Sequence, residues 1–112
     1  MAILTLIIIL LLPLSAQADP VQIDDGHKFT MIADVTVTSS ATLISAANPN
    51  RAALNCTNTD ASVHVRWGSS SVTATTGQQL QAGLAISIRN TGAVYMISEG
   101  ANVTVSCTEE VR

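Results

Sequence analysis

The sequence predicts an all-β protein: a small antiparallel β-sandwich or jelly-roll-like barrel of about seven short strands, preceded by an N-terminal hydrophobic leader. Three observations lead there. Beyond the leader, apolar residues recur at every second position, the period that sets one face of a strand against a core. Clusters of Asn, Asp, Gly, Pro and Ser interrupt these runs at roughly 8–12 residue intervals, the spacing of short strands joined by turns. No segment past the leader repeats apolar residues at the spacing of a helix. Abundant Thr and Val favour strands by propensity as well.

The opening MAILTLIIILLLPLSAQA holds 14 apolar residues in 18. Its apolar run from Ala2 to Leu12, broken only by Thr5, is shorter than the roughly 20 residues a helix needs to cross a bilayer. Pro13 follows, and then Ala16-Gln17-Ala18, a small-x-small cleavage signal. These are the parts of a secretory signal peptide cleaved after Ala18. No Lys or Arg precedes the run, so a retained membrane anchor is the second reading. Residues 1–18 are thus a signal peptide or hydrophobic leader, 19–27 a polar N-terminal segment, and 28–112 a β-sandwich domain.

Within that domain, Phe29, Met31, Ala33, Val35 and Val37 alternate with Thr30, Ile32, Asp34, Thr36 and Thr38. This reads as one half-buried strand, with Ile32 the misfit. ATLIS is a short strand, and the turn formers Asn48, Pro49 and Asn50 follow it. Ala52, Leu54 and Cys56 then alternate with Arg51, Ala53, Asn55 and Thr57. After NTDAS, the residues Val63, Val65 and Trp67 alternate with His64 and Arg66, and these two runs are expected to form a hairpin. The polar stretch 68–83 is an exposed loop with room for one weak strand. Leu84, Ile86 and Ile88 mark the next strand, AVYMIS another, and Val103, Val105 and Cys107 the last.

The formal net charge is −3, and Lys28, Arg51, Arg66, Arg89 and Arg112 are scattered. No basic stripe is available for DNA or RNA, so a nucleic-acid partner is not expected. Catalytic, cofactor and metal sites are not expected either. Asp24 to His27 supplies too few ligands for Ca²⁺ or Zn²⁺ and reads as a turn. His64 reads as a solvated side chain beside Arg66. The serines 69–71 lack a nucleophile elbow. Glu109 and Glu110 point to opposite faces of a strand, which suits a solvated tail better than a paired acid and base. Asn55-Cys56-Thr57 and Asn102-Val103-Thr104 match the glycosylation sequon, which Thr-rich chains also produce by chance.

Cys56 and Cys107 are the two cysteines. Both share the apolar parity of their strands, and an even count in an exported chain favours a disulfide between them. Two buried free thiols are the alternative. This pattern points to an extracytoplasmic location, secreted or periplasmic, with membrane contact only if the leader is retained.

The run TSSATLISAANPNRAALNCTNTDASVHVRWGSSSVTATTGQQLQAGLAISI resembles a module of small bacteriophage virion proteins, of capsid-decoration or fibre and spike type. The similar features are a Thr/Ser strand, AANPNR leading into a strand, and an N-T-x-x-x-V-x-V segment. A Gly, a polar loop, and Gly83 ahead of another apolar strand complete them. The resemblance implies a β-sandwich with an architectural role, often trimeric, and no catalytic residues. Its outward faces, lined by Thr30, Thr36, Ala53, Ala85 and Thr104 and poor in charge, fit a homo-oligomer that contacts a capsid or cell-surface protein. A second class also fits the leader and cysteines: a secreted bacterial adhesin-like module that recognises a glycan or protein.

Overall fold

The computed structural model describes residues 26–112. The signal-peptide or anchor reading of residues 1–18, and all but the end of the polar segment 19–27, lie outside the described residues.

Among the described residues, nine antiparallel strands form the fold: β1 (Lys28–Met31), β2 (Val35–Val37), β3 (Thr42–Ser45), β4 (Arg51–Asn58), β5 (Val65–Gly68), β6 (Gln78–Leu80), β7 (Ala85–Ile88), β8 (Val94–Ser98) and β9 (Val103–Val111). They make two packed sheets. In the five-stranded sheet β9 lies between β4 and the pair β1 and β2, and β7 pairs the far edge of β4. The four-stranded sheet runs β3-β8-β5-β6.

β1 and β2 pair successive stretches of the same edge of β9, so they are two halves of one broken strand. Counting them as one leaves eight strands, ordered 1-8-3-6 in one sheet and 2-7-4-5 in the other. The chain changes sheets at every connection except β1–β2 and β5–β6. This is the two-sheet jelly roll, the second of the two architectures expected from the alternation.

Two expectations are corrected. First, 29–37 is not one strand. Between Met31 and Val35 the chain advances four residues while β9 advances three, from Thr108 to Val105. The extra residue reverses parity. Val35 and Val37 face the core, Ile32 packs against it, and Phe29 and Met31 lie on the outer face, 62% and 76% exposed. Ile32 is therefore no misfit; it is where the pattern shifts by one.

Second, β4 and β5 form no hairpin. β4 is paired along both edges, by β9 and β7, and β5 pairs β8 and β6 in the other sheet. Six residues, 59–64, carry the chain across. Asp60 accepts from the Ser62 and Val63 amides and sets this turn, and those two bonds hold its carboxyl below the ordinary carboxylate value. Apolar alternation tells inside from outside, but it does not say which sheet a strand joins. The polar stretch 68–83 holds the one weak strand it had room for, β6, which closes the β5–β6 hairpin.

The core is aliphatic. Val37, Leu54, Val103 and Val105 of one sheet meet Ile44, Val65, Leu80, Val94 and Met96 of the other. Cys56 and Cys107 stand directly opposite one another on β4 and β9, with Cα atoms 4.1 Å apart, and are joined by a disulfide. Such a close approach belongs to the antiparallel pair that exchanges no ladder hydrogen bonds.

Candidate functional site

Buried polar side chains sit at the two ends of β4. At its start, Arg51 pairs Val111 while Ala53 pairs Glu110, so two steps on β4 match one on β9. This irregularity turns Arg51 inward and corrects its expected place on the outer face; it is 2% exposed. All five of its donors are used. Nε bonds Glu109 Oε2 at 2.8 Å, Nη1 the carbonyls of Asn90 and Gly92, and Nη2 Ser45 Oγ and the Ala46 carbonyl.

Glu109 is consequently no solvated tail: it is 9% exposed. Burial pushes its carboxyl up, but hydrogen bonds from Arg51 and Ser45, together with the Arg51 charge, outweigh this and hold it below the ordinary value. The cluster ties the β3–β4 and β7–β8 turns to β9, and so ties one sheet to the other. Glu110 faces the opposite way, as expected, but it too has a partner, His27 Nδ1 at 2.5 Å.

At the other end of β4, Asn58 is fully buried. Its carboxamide donates to the carbonyls of Val63 and Leu80 and accepts from the Asp60 amide. His64 is nearby, and its Nδ1 accepts the Ala82 amide at 2.9 Å, so it anchors the β6–β7 turn and is not simply solvated beside Arg66. Arg66 pairs Glu99 at 2.8 Å. A hydrogen bond from Gln79 first, and Arg66 after it, hold the Glu99 carboxyl low. Ser69 and Ser71 belong to the turn after β5, where Ser69 Oγ accepts the Ser71 amide. The Trp67 indole N–H is buried without a partner, and nothing in the structure accounts for it.

The polar residues inside the sandwich are thus consumed by its architecture. Among the described residues no three His, Cys, Asp or Glu side chains gather as a metal-binding group. What remains open is the outer face of the five-stranded sheet, which bears a groove of about 620 Å³. Across it runs a row set by register. Met31 stands opposite Thr108, Thr108 opposite Asn55, and Asn55 opposite Ser87. A second row holds Ser106, Thr57 and Ala85. Asp34 borders the groove and accepts a hydrogen bond from Ser106 at 2.8 Å. Ala53, expected among the exposed outward residues, is 2% exposed, whereas Thr36, Ala85 and Thr104 are exposed as expected.

Sequence reasoning missed this groove because its residues are ordinary outward positions of three strands distant in sequence. It also missed the inward Arg51 and Glu109, for which a charged residue at each end of an apolar alternation was the available signal. The half-buried Asn55 of the first sequon lies on the groove floor, and Asn102 of the second is exposed in the β8–β9 turn. No known family model, curated protein or solved structure matches the chain, so the reading of this site rests on its geometry.

Proposed function

We propose that the protein is a non-enzymatic structural and interaction module, a virion-associated decoration or spike-type protein that acts through self-association and surface binding. The observation that carries this reading is β1. All four of its residues are exposed, and Phe29 and Met31 stand on the outer face beside the groove. Exposed apolar residues on an edge strand are the usual invitation to another chain, because nothing there repels pairing except Lys28. The jelly roll lends support by analogy only, since capsid and lectin domains both use it. The disulfide fits an oxidising, extracytoplasmic setting. The partners on this reading are further copies of the chain, with a trimer among the closed forms, and a capsid or cell-surface protein.

Light scattering of the protein at micromolar concentration tests it. The expected mass is that of a closed homo-oligomer, falling to the monomer in the double variant Phe29→Ser, Met31→Ser. A wild-type protein that stays monomeric and binds neither capsid nor cell surface would overturn the reading.

A second reading, a secreted bacterial adhesin-like module that recognises a glycan or protein, is favoured by the groove. Its residues offer hydroxyl and carboxamide groups beside an apolar wall.

A further inference from the structure

We infer that the groove on the outer face of the five-stranded sheet binds a neutral glycan, with Thr108, Asn55 and Ser87 as its hydrogen-bonding row. The inference rests on the second reading above, a surface-binding module, and adds to it the site and the class of ligand.

The argument begins with unused hydrogen-bonding capacity. Asn55, Thr57, Ser87 and Thr108 make no side-chain hydrogen bond to any described residue. Asn55 and Thr108 are nonetheless half-buried. The buried polar residues Arg51, Asn58, Ser98 and Glu109 are by contrast all bonded. A carboxamide and a hydroxyl can each donate and accept. Sugar hydroxyls do the same, so the two sets match without either side carrying charge.

Spacing agrees. Thr108, Asn55 and Ser87 lie on adjacent strands, about 4.8 Å apart across the sheet, a step close to the length of one sugar ring. Ser106 and Thr57 add a second rank about 7 Å further along the strands. The row ends at Met31, 76% exposed, whose side chain offers the apolar surface that a sugar's C–H face needs. A volume of about 620 Å³ lies within the ordinary range for small-ligand sites.

Other occupants fit less well. No Lys or Arg lines the groove, and Asp34 is its one charged residue, so an anionic ligand meets no counter-charge. An extended peptide would bind through its backbone at a sheet edge. Here the floor is the face of β9, β4 and β7, where β4 is already paired on both sides.

The experiment uses the protein exported to a bacterial periplasm, where the disulfide forms. The ¹⁵N-labelled protein is titrated with maltotriose, cellotriose, chitotriose, mannotriose and lactose, and with sialyllactose and a sulfated disaccharide. The expected result is that at least one neutral oligosaccharide shifts the amides of Asn55, Ser87 and Thr108. Asn55→Ala should weaken that binding about tenfold, with the remaining spectrum unchanged. Tighter binding of the charged sugars, or binding that survives Asn55→Ala, overturns the inference. So does wild-type attachment to cells that neither the oligosaccharides nor Asn55→Ala reduces, although that outcome leaves the binding-module reading standing. A wild type that binds neither these sugars nor cells ends both.

Discussion

Arg51 illustrates how one residue can decide both local geometry and global stability. Its guanidinium is fully bonded, to Glu109 and to groups in two turns. Removing one partner of a buried ion pair leaves the other uncompensated and costs about 3–5 kcal/mol. Arg51→Ala is therefore expected to lower the unfolding free energy by about that amount in a urea titration. Arg51→Met with Glu109→Leu should not restore it, because the carbonyls of Ala46, Asn90 and Gly92 lose their donor as well. The pH dependence follows from Glu109. Its folded pKa is depressed, so its contribution is fully present above the ordinary carboxylate range, about 4.3, and is lost as pH falls through the depressed value. Unfolding curves measured from neutral to acid pH should show this loss in the wild type and less of it in Glu109→Gln. Little of this was legible in the sequence. Strict alternation places Arg51 outward, and only the extra residue at Ala52 turns it in. Cys56 and Cys107 were legible because no such irregularity separates them from the apolar positions of their own strands.

At the scale of elements, the disulfide joins neighbouring strands that are distant along the chain. It closes a loop of 51 residues. The chain-entropy account gives about 4 kcal/mol for a loop of that size. Cys56→Ala with Cys107→Ala should lose about that much in denaturant unfolding while keeping the β-rich circular dichroism spectrum. The β5–β6 hairpin depends on Gly77 instead. Its φ is +99°, and a Cβ there would lie 2.7 Å from Val72 Cγ2 and 2.8 Å from the Trp67 carbonyl oxygen. Gly77→Ala combines left-handed backbone strain with overpacking, and should cost about 1–3 kcal/mol. Faster amide exchange confined to 65–80 would locate the damage. Strands with unbroken alternation, such as β7 and β9, were legible at this scale. β1 and β2 were read as one because the parity change between them falls within an otherwise regular run. β6, only Gln78–Leu80, has too few residues to establish a period.

For the whole molecule, the alternation specified two apolar faces but not the order of the strands. Each turn, from Asn48-Pro49-Asn50 to Glu99-Gly100, looks alike whether the chain stays in its sheet or crosses to the other. The jelly roll emerges only from pairings between distant segments, and the most demanding of these belong to β9. It pairs β4 along one edge, and β1 and β2 along the other. Among the described residues, β1 and β2 have no partner except β9. Translation delivers the strands in the reverse order of need. While the ribosome is still making residues before Val103, the first two strands have nothing to pair with, β4 has only β7 to expect, and Cys56 has no thiol to meet. Pairing of β1 and β2 and oxidation of the cysteines therefore wait until β9 has emerged. An open chain is also the form that can be threaded through a narrow translocation pore before it locks.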